Sequence, residues 1–270
     1  MEKIKNASIV MFVLITLIAA SSIVLFPLDA MLQGISFSDF HSEYIGLTLK
    51  MAFIFIISYW IISKTKIGNV AGLSLNYKWK FKAYNVIPAY LILLGFLSVL
   101  SMELSQIQLQ DLLLLLLACL TVGFAEEFLF RGLLQSMFLR KYHAQKNGIL
   151  LSVLLPAILF GLFHLINLTK TGQVTAVLVQ VVFATFIGFF FGVLVLKTNK
   201  IIPIAITHGL INFSFSIASL PGLAVEQQTG FSIAPIVLTL PLLIIGLLIL
   251  RKIKTEDVAN KINESFNLTN

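Results

Sequence analysis

The chain has 270 residues, 58% of them hydrophobic and 11% charged, with a mean hydropathy of +0.97. Soluble domains carry about 25% charged residues, so a soluble globular protein is excluded and a polytopic membrane protein is indicated. The single cysteine, Cys119, excludes an internal disulfide, and the net charge of +7 reads as topology and lipid contact, not as a nucleic-acid surface.

Windows of about 20 apolar residues predict eight transmembrane helices, near 7–27, 44–63, 84–103, 109–130, 150–168, 174–196, 201–218 and 231–250. Lys3 and Lys5 precede the first, as in a signal peptide. The apolar run from Ser8 to Phe26 continues without a clear cleavage site, so it reads as an anchor. The second contains Lys50, the seventh begins beside Pro203, and the fourth is expected to run on toward Arg140 as one long helix. The fold class is therefore all-α, with about eight membrane helices around an intramembrane polar cavity. Three parts are expected: helices one to three in 1–105, a core in 106–218, and the last helix with a polar tail in 219–270.

The connections give the orientation. Of 19 basic residues, all but Lys50 and Lys170 fall in the N-terminus, the tail and the alternate links on one side. They include Lys64, Lys66, Lys78, Lys80 and Lys82 after the second helix, and Arg131, Arg140, Lys141 and Lys146 after the fourth. The other links hold Asp29, Asp39, Glu43, Glu103, Asp111 and Glu226 with Lys170. The positive-inside rule makes this a multi-pass protein of the cell membrane with both termini cytoplasmic. Abundant lysine, isoleucine and asparagine against three arginines point to an AT-rich bacterial source.

A few polar residues interrupt the apolar helices. Glu126, Glu127 and Arg131 follow a stretch uncharged from Leu112 to Ala125. Each such charge costs roughly 2.5–3.5 kcal/mol at the centre of a bilayer helix, so they must pair or face a wet cavity. Glu127 and Arg131 stand one turn apart on one face, whereas Glu126 points about 100° away without a local partner. His164 closes Phe160-x-x-x-His164. His208 and Asn212 share one helical face, and each can donate a hydrogen bond toward the same point.

A lone membrane histidine is most often a satisfied inter-helix hydrogen bond, and a carboxylate with histidines also suits a proton relay. The set on three helices supplies what peptide hydrolysis by an activated water needs: a base, a water-orienting group and oxyanion donors. Zinc hydrolysis needs a similar list. No His-Glu-x-x-His and no Gly-x-Ser-x-Gly occurs, so an ordinary zincin and a serine elbow are excluded. At 1.5 Å per residue His208 lies about 12 Å deep, and His164 about 22 Å deep if its helix starts at Ile149. An interfacial or kinked stretch before Pro156 would bring the two level, together with a long or tilted fourth segment.

In order, Glu126-Glu127-x-x-x-Arg131, Phe160-x-x-x-His164 and His208-x-x-x-Asn212 resemble the CAAX prenyl endopeptidase family. Its bacterial relatives form the Abi or CPBP family of intramembrane metalloproteases, some linked to bacteriocin immunity. The resemblance covers roughly 112–217, with no motif residue missing. It implies that Glu126 is the general base, that His164 holds and orients the water, and that His208 and Asn212 stabilise the oxyanion. Glu127 and Arg131 would be structural. Glu126, His164 and His208 could ligate zinc, or act without metal, the reading preferred here. The substrate would be a small peptide or a membrane protein. The competing readings are a proton-coupled transporter and a non-enzymatic immunity or signalling protein.

Overall fold

The computed structural model describes residues 2–65, 67–74, 78–97, 99–100, 106–223 and 232–266, and all its regular elements are helical. The reason is the solvent. In lipid every backbone N–H and C=O must be satisfied within the segment. Hydroxyls along these apolar helices follow suit. Thr16, Thr48, Thr121 and Thr185 each donate to the carbonyl four residues back, at 2.7–2.8 Å.

α1 (Glu2–Leu25) and α2 (Leu28–Gly34) meet at Pro27, and α3 is Asp39–Lys64. Lys50, in the middle of α3, is tolerated because it caps α1. Its ammonium donates to the carbonyls of Val24 and Phe26 at 3.3 Å each and pairs with Asp29 at 3.5 Å. α4 (Ala89–Leu97) follows a 3₁₀ turn. α5 (Leu109–Glu127), a π-helical stretch (Phe128–Leu134) and α6 (Gln135–Tyr142) form one 34-residue helix, as expected of the fourth segment. By its rise it is about 51 Å long, well beyond the ~30 Å of a bilayer core.

α7 (Gly148–Phe163), a 3₁₀ turn and α8 (Leu168–Thr171) make the next span. α9 (Val174–Thr198) and α10 (Ile202–Ser216) follow. α11 (Ala234–Leu250) meets α12 (Thr255–Phe266) at 81°. The buried core lies on α9, whose Phe189, Phe190 and Phe191 are enclosed, and on the π-helical stretch.

Three expectations need correction. Among the described residues six helical stretches are long and apolar enough to cross a membrane, or seven if α11 and α12 count as one bent span, so eight crossings are not confirmed. The predicted third span, 84–103, is represented by the shorter apolar stretch Lys82–Leu97, while 98 and 101–103 lie outside the described residues. Its 3₁₀ turn passes into α4 beyond Pro88, which cannot donate to a helical ladder. Second, α7 runs unbroken from Gly148 through Pro156, with no separate stretch before it. Packing against neighbouring helices holds a membrane helix whose ladder lacks one N–H. Third, Arg131, counted among the link charges, is 1% exposed inside the long helix.

Stretches expected on the basic side do meet at one end of the bundle. Lys80 N–H donates to Thr198 (3.1 Å), Ile201 N–H to Gly72 (3.2 Å) and Lys200 Nζ to Ser74 (2.7 Å). Elsewhere His41 lies 3.2 Å from Asp111, and the Tyr44 and Ser219 hydroxyls are 2.6 Å apart. Lys66, Glu103 and Glu226 lie outside the described residues.

Candidate active site

The site is built where α5 crosses α10. A methyl group on Gly123 would stand 2.5 Å from the Ala205 oxygen and 2.6 Å from the Gly209 nitrogen. One on Gly209 would stand 2.7 Å from Leu120 Cα. The two backbones therefore touch, as small residues permit between membrane helices. Gly123 is one turn before Glu127, and Gly209 follows His208, so this contact sets the reach between acid and imidazole.

That reach is short on both sides of the ring. His208 Nδ1 lies 2.8 Å from Glu127 Oε1, and Nε2 lies 3.5 Å from Glu126 Oε2. A carboxylate only accepts, so Nδ1 carries a proton. Glu127 also forms an ion pair with Arg131, Nη1 lying 3.0 Å from Oε1, with both side chains at most 1% exposed. The predicted one-turn pair is present, and Glu127 serves two helices at once. A π-helical stretch begins at the residue after Glu127 and contains Arg131; such stretches are frequent at functional sites.

Arg131 is enclosed by aromatic and glycine surfaces. Its guanidinium lies 4.3 Å from the centre of the Phe160 ring, a cation–π contact. At Gly188 a methyl group would come within 2.6 Å of Nη2 and 2.9 Å of Phe160. The Phe160 ring also packs edge-on to His164 and His208, with centroids 4.9 and 5.9 Å away.

His164 is at the end of α7, where its Nδ1 lies 2.9 Å from the Phe160 carbonyl. A carbonyl can only accept, so Nδ1 donates and, in the neutral ring, Nε2 keeps its lone pair. Close packing at Gly161, where a methyl group would meet Thr185 Oγ1 at 2.1 Å, seats this end of α7 on α9. His164, His208 and Asn212 line one cavity of about 370 Å³, otherwise bounded largely by apolar side chains of α4, α9, α10 and α11. Glu126 is not among the residues that line this cavity; its carboxylate lies 3.5 Å from His208 Nε2 and its side chain is 12% exposed.

Sequence reasoning missed two contributors. Gln180, on α9, lines the same cavity and accepts a 2.9 Å hydrogen bond from Asn167. Its signal was a lone amide in the apolar run from Val174 to Phe191. The Gly123–Gly209 contact is the second. Among the described residues no three of His, Cys, Asp and Glu gather as a metal-holding group. The donor chemistry of His208 does not itself argue against a metal, because an Nδ1–H held by Glu127 leaves Nε2 and Glu126 Oε2, 3.5 Å apart, facing each other. Within the described residues Glu126, His164 and His208 are not gathered as a three-ligand centre.

Residues 108–214 match the family model described as type II CAAX prenyl endopeptidase Rce1-like. The matched segment takes in Glu126, Glu127, Arg131, His164, His208 and Asn212. None of the curated proteins and none of the solved structures matches the chain.

Proposed function

We propose, from the premise that residues 108–214 form an Rce1-like CAAX endopeptidase domain in a multi-pass membrane protein, that the chain cleaves a peptide bond with a water activated by Glu126. At the level of the family the activity is that of a membrane endopeptidase, a hydrolase. The observation that carries the finer reading is His208, held by Glu127 at 2.8 Å, set 3.5 Å from Glu126 and opening onto the cavity it shares with His164 and Asn212.

In this reading Glu126 takes a proton from water whose lone pair attacks the scissile carbonyl, and His164 Nε2 holds that water. The carbonyl oxygen becomes an oxyanion between the Asn212 amide and His208 Nε2, which donates only when the ring, already held through Nδ1–H by Glu127, carries a second proton. Donors in a water-poor cavity of this kind are worth far more than in solvent. Glu126 then returns the proton to the leaving amine as the C–N bond breaks. Glu127 and Arg131 position His208 and do not touch substrate. The core of 106–218 holds all these groups, with the helices of 1–105 and 219–270 packed beside it. The largely apolar cavity suits a small peptide or membrane-protein segment, and both termini lie on the cytoplasmic side.

The test is N-terminal peptide profiling of membranes carrying the wild type or Glu126→Gln. New peptide N-termini made only by the wild type, at equal protein levels, support the reading. Identical profiles overturn it.

A further inference from the structure

Away from the catalytic cavity, a second one of about 220 Å³ lies at the corner between α11 and α12, walled also by the end of α9 and the segment before α4. Four lysines converge on it from four chain segments: Lys80, Lys197, Lys252 and Lys261. Two acids, Asp257 and Glu264, share the wall, so the lining remains cationic. Its position follows from the helices. The apolar run of α11 ends at Leu250, and α12 turns away by 81° with Val258 and Ile262 buried beneath it. The cavity therefore sits where the apolar run of α11 gives way to the polar helix α12.

The wall is built, not incidental. Lys261 Nζ donates to Asn199 Oδ1 and to the Leu196 carbonyl at 3.4 Å, tying α12 to the end of α9. Lys80 N–H holds the Thr198 carbonyl at 3.1 Å, and Lys197 lies 4.1 Å from the Phe81 ring centre. Four ammonium groups against two carboxylates leave the wall with an excess of positive charge, which favours an anion.

We propose that this cavity binds a phosphate group, the headgroup phosphate of an anionic membrane lipid or a free phosphate of the same chemistry. Burial and the neighbouring Lys80 press the Lys261 ammonium down to about 8, against the pull of Asp257; a bound phosphate would relieve that pressure.

The test uses the full chain in detergent, titrated with phosphatidylglycerol, phosphatidylcholine or inorganic phosphate and read by native mass spectrometry. Lys80→Gln/Lys252→Gln removes two exposed charges and leaves the main-chain bond at Lys80 intact. Lys254→Gln, exposed and outside the cavity wall, is the charge-matched control, and circular dichroism checks the fold of each. The expected result is one phosphatidylglycerol held roughly thirtyfold tighter by the wild type and the control than by the double variant, at about fivefold per lysine. Failure of millimolar inorganic phosphate to displace it assigns the phosphate to lipid; displacement assigns it to free phosphate. Equal binding by wild type and double variant, or equal binding of both lipids, overturns the proposal.

Discussion

Gly123 and Gly209 touch backbone to backbone, and this contact brings the two glutamates of α5 to the imidazole of α10. Neither position has room for a methyl group. Overpacking of this kind costs about 1–3 kcal/mol. Gly123→Ala or Gly209→Ala should lower the thermal midpoint in detergent and depress proteolysis further than the stability loss explains, because the crossing distance sets the His208 reach. Full activity at a lowered midpoint would show that the distance is not critical.

Arg131→Ala should be among the most destabilising single changes. It leaves Glu127 buried without its cation, and breaking a buried pair costs about 3–5 kcal/mol. Arg131→Lys should recover little, since an ammonium lacks the flat face that stacks on Phe160. The measurement is protein level and thermal midpoint alongside activity per folded molecule. A normal level with lost turnover would give Arg131 a direct part in catalysis.

Glu126→Gln removes the proposed base while keeping the shape, and Asn212→Ala removes one proposed oxyanion donor. The first should cut turnover by roughly 10²–10⁴-fold and the second by roughly 10²–10³-fold, with unchanged membrane insertion. A vesicle uptake assay run beside the cleavage assay separates the transporter reading: solute movement abolished by Glu126→Gln, with no peptide product, would favour it.

Gly188→Ala tests the enclosure of Arg131 from the opposite side. The added methyl would press Nη2 and the Phe160 ring together, so the expected outcome is destabilisation of about 1–3 kcal/mol. A double-mutant cycle with Arg131→Ala should show non-additivity, because the clash with Nη2 disappears with the guanidinium while that with Phe160 remains.

The docking of α12 should depend on pH through Lys261, whose ammonium is pushed down to about 8 by burial, then by Lys80. The unfolded side chain titrates near 10.5. Between those values the docked form binds fewer protons than the undocked form, so docking strengthens as pH rises from about 8 to about 10.5. Below about 8 the penalty is fully present. Hydrogen exchange of α12 amides in detergent without anionic lipid checks this, and Lys261→Met should flatten the profile.

What could be read from the residues alone follows from periodicity. The Glu127–Arg131 pair, the shared face of His208 and Asn212, and the long fourth helix each depend on spacing within one element. Contacts across elements were not legible. Nothing in the spacing says that His208 reaches Glu127 as well as Glu126, since the Gly123–Gly209 contact that permits it lies in two distant apolar runs. Hydropathy alone places the third span at 84–103 and cannot show that its α-helix begins only after Pro88. Pro156 misled because its effect depends on the helices packed around it.

The Phe160 ring is the common neighbour of the guanidinium and of both imidazoles. A change in its size or tilt is felt by the buried anchor and by the reactive groups together. The two halves can then be retuned only as a unit, which leaves a lineage little freedom to refine one without disturbing the other.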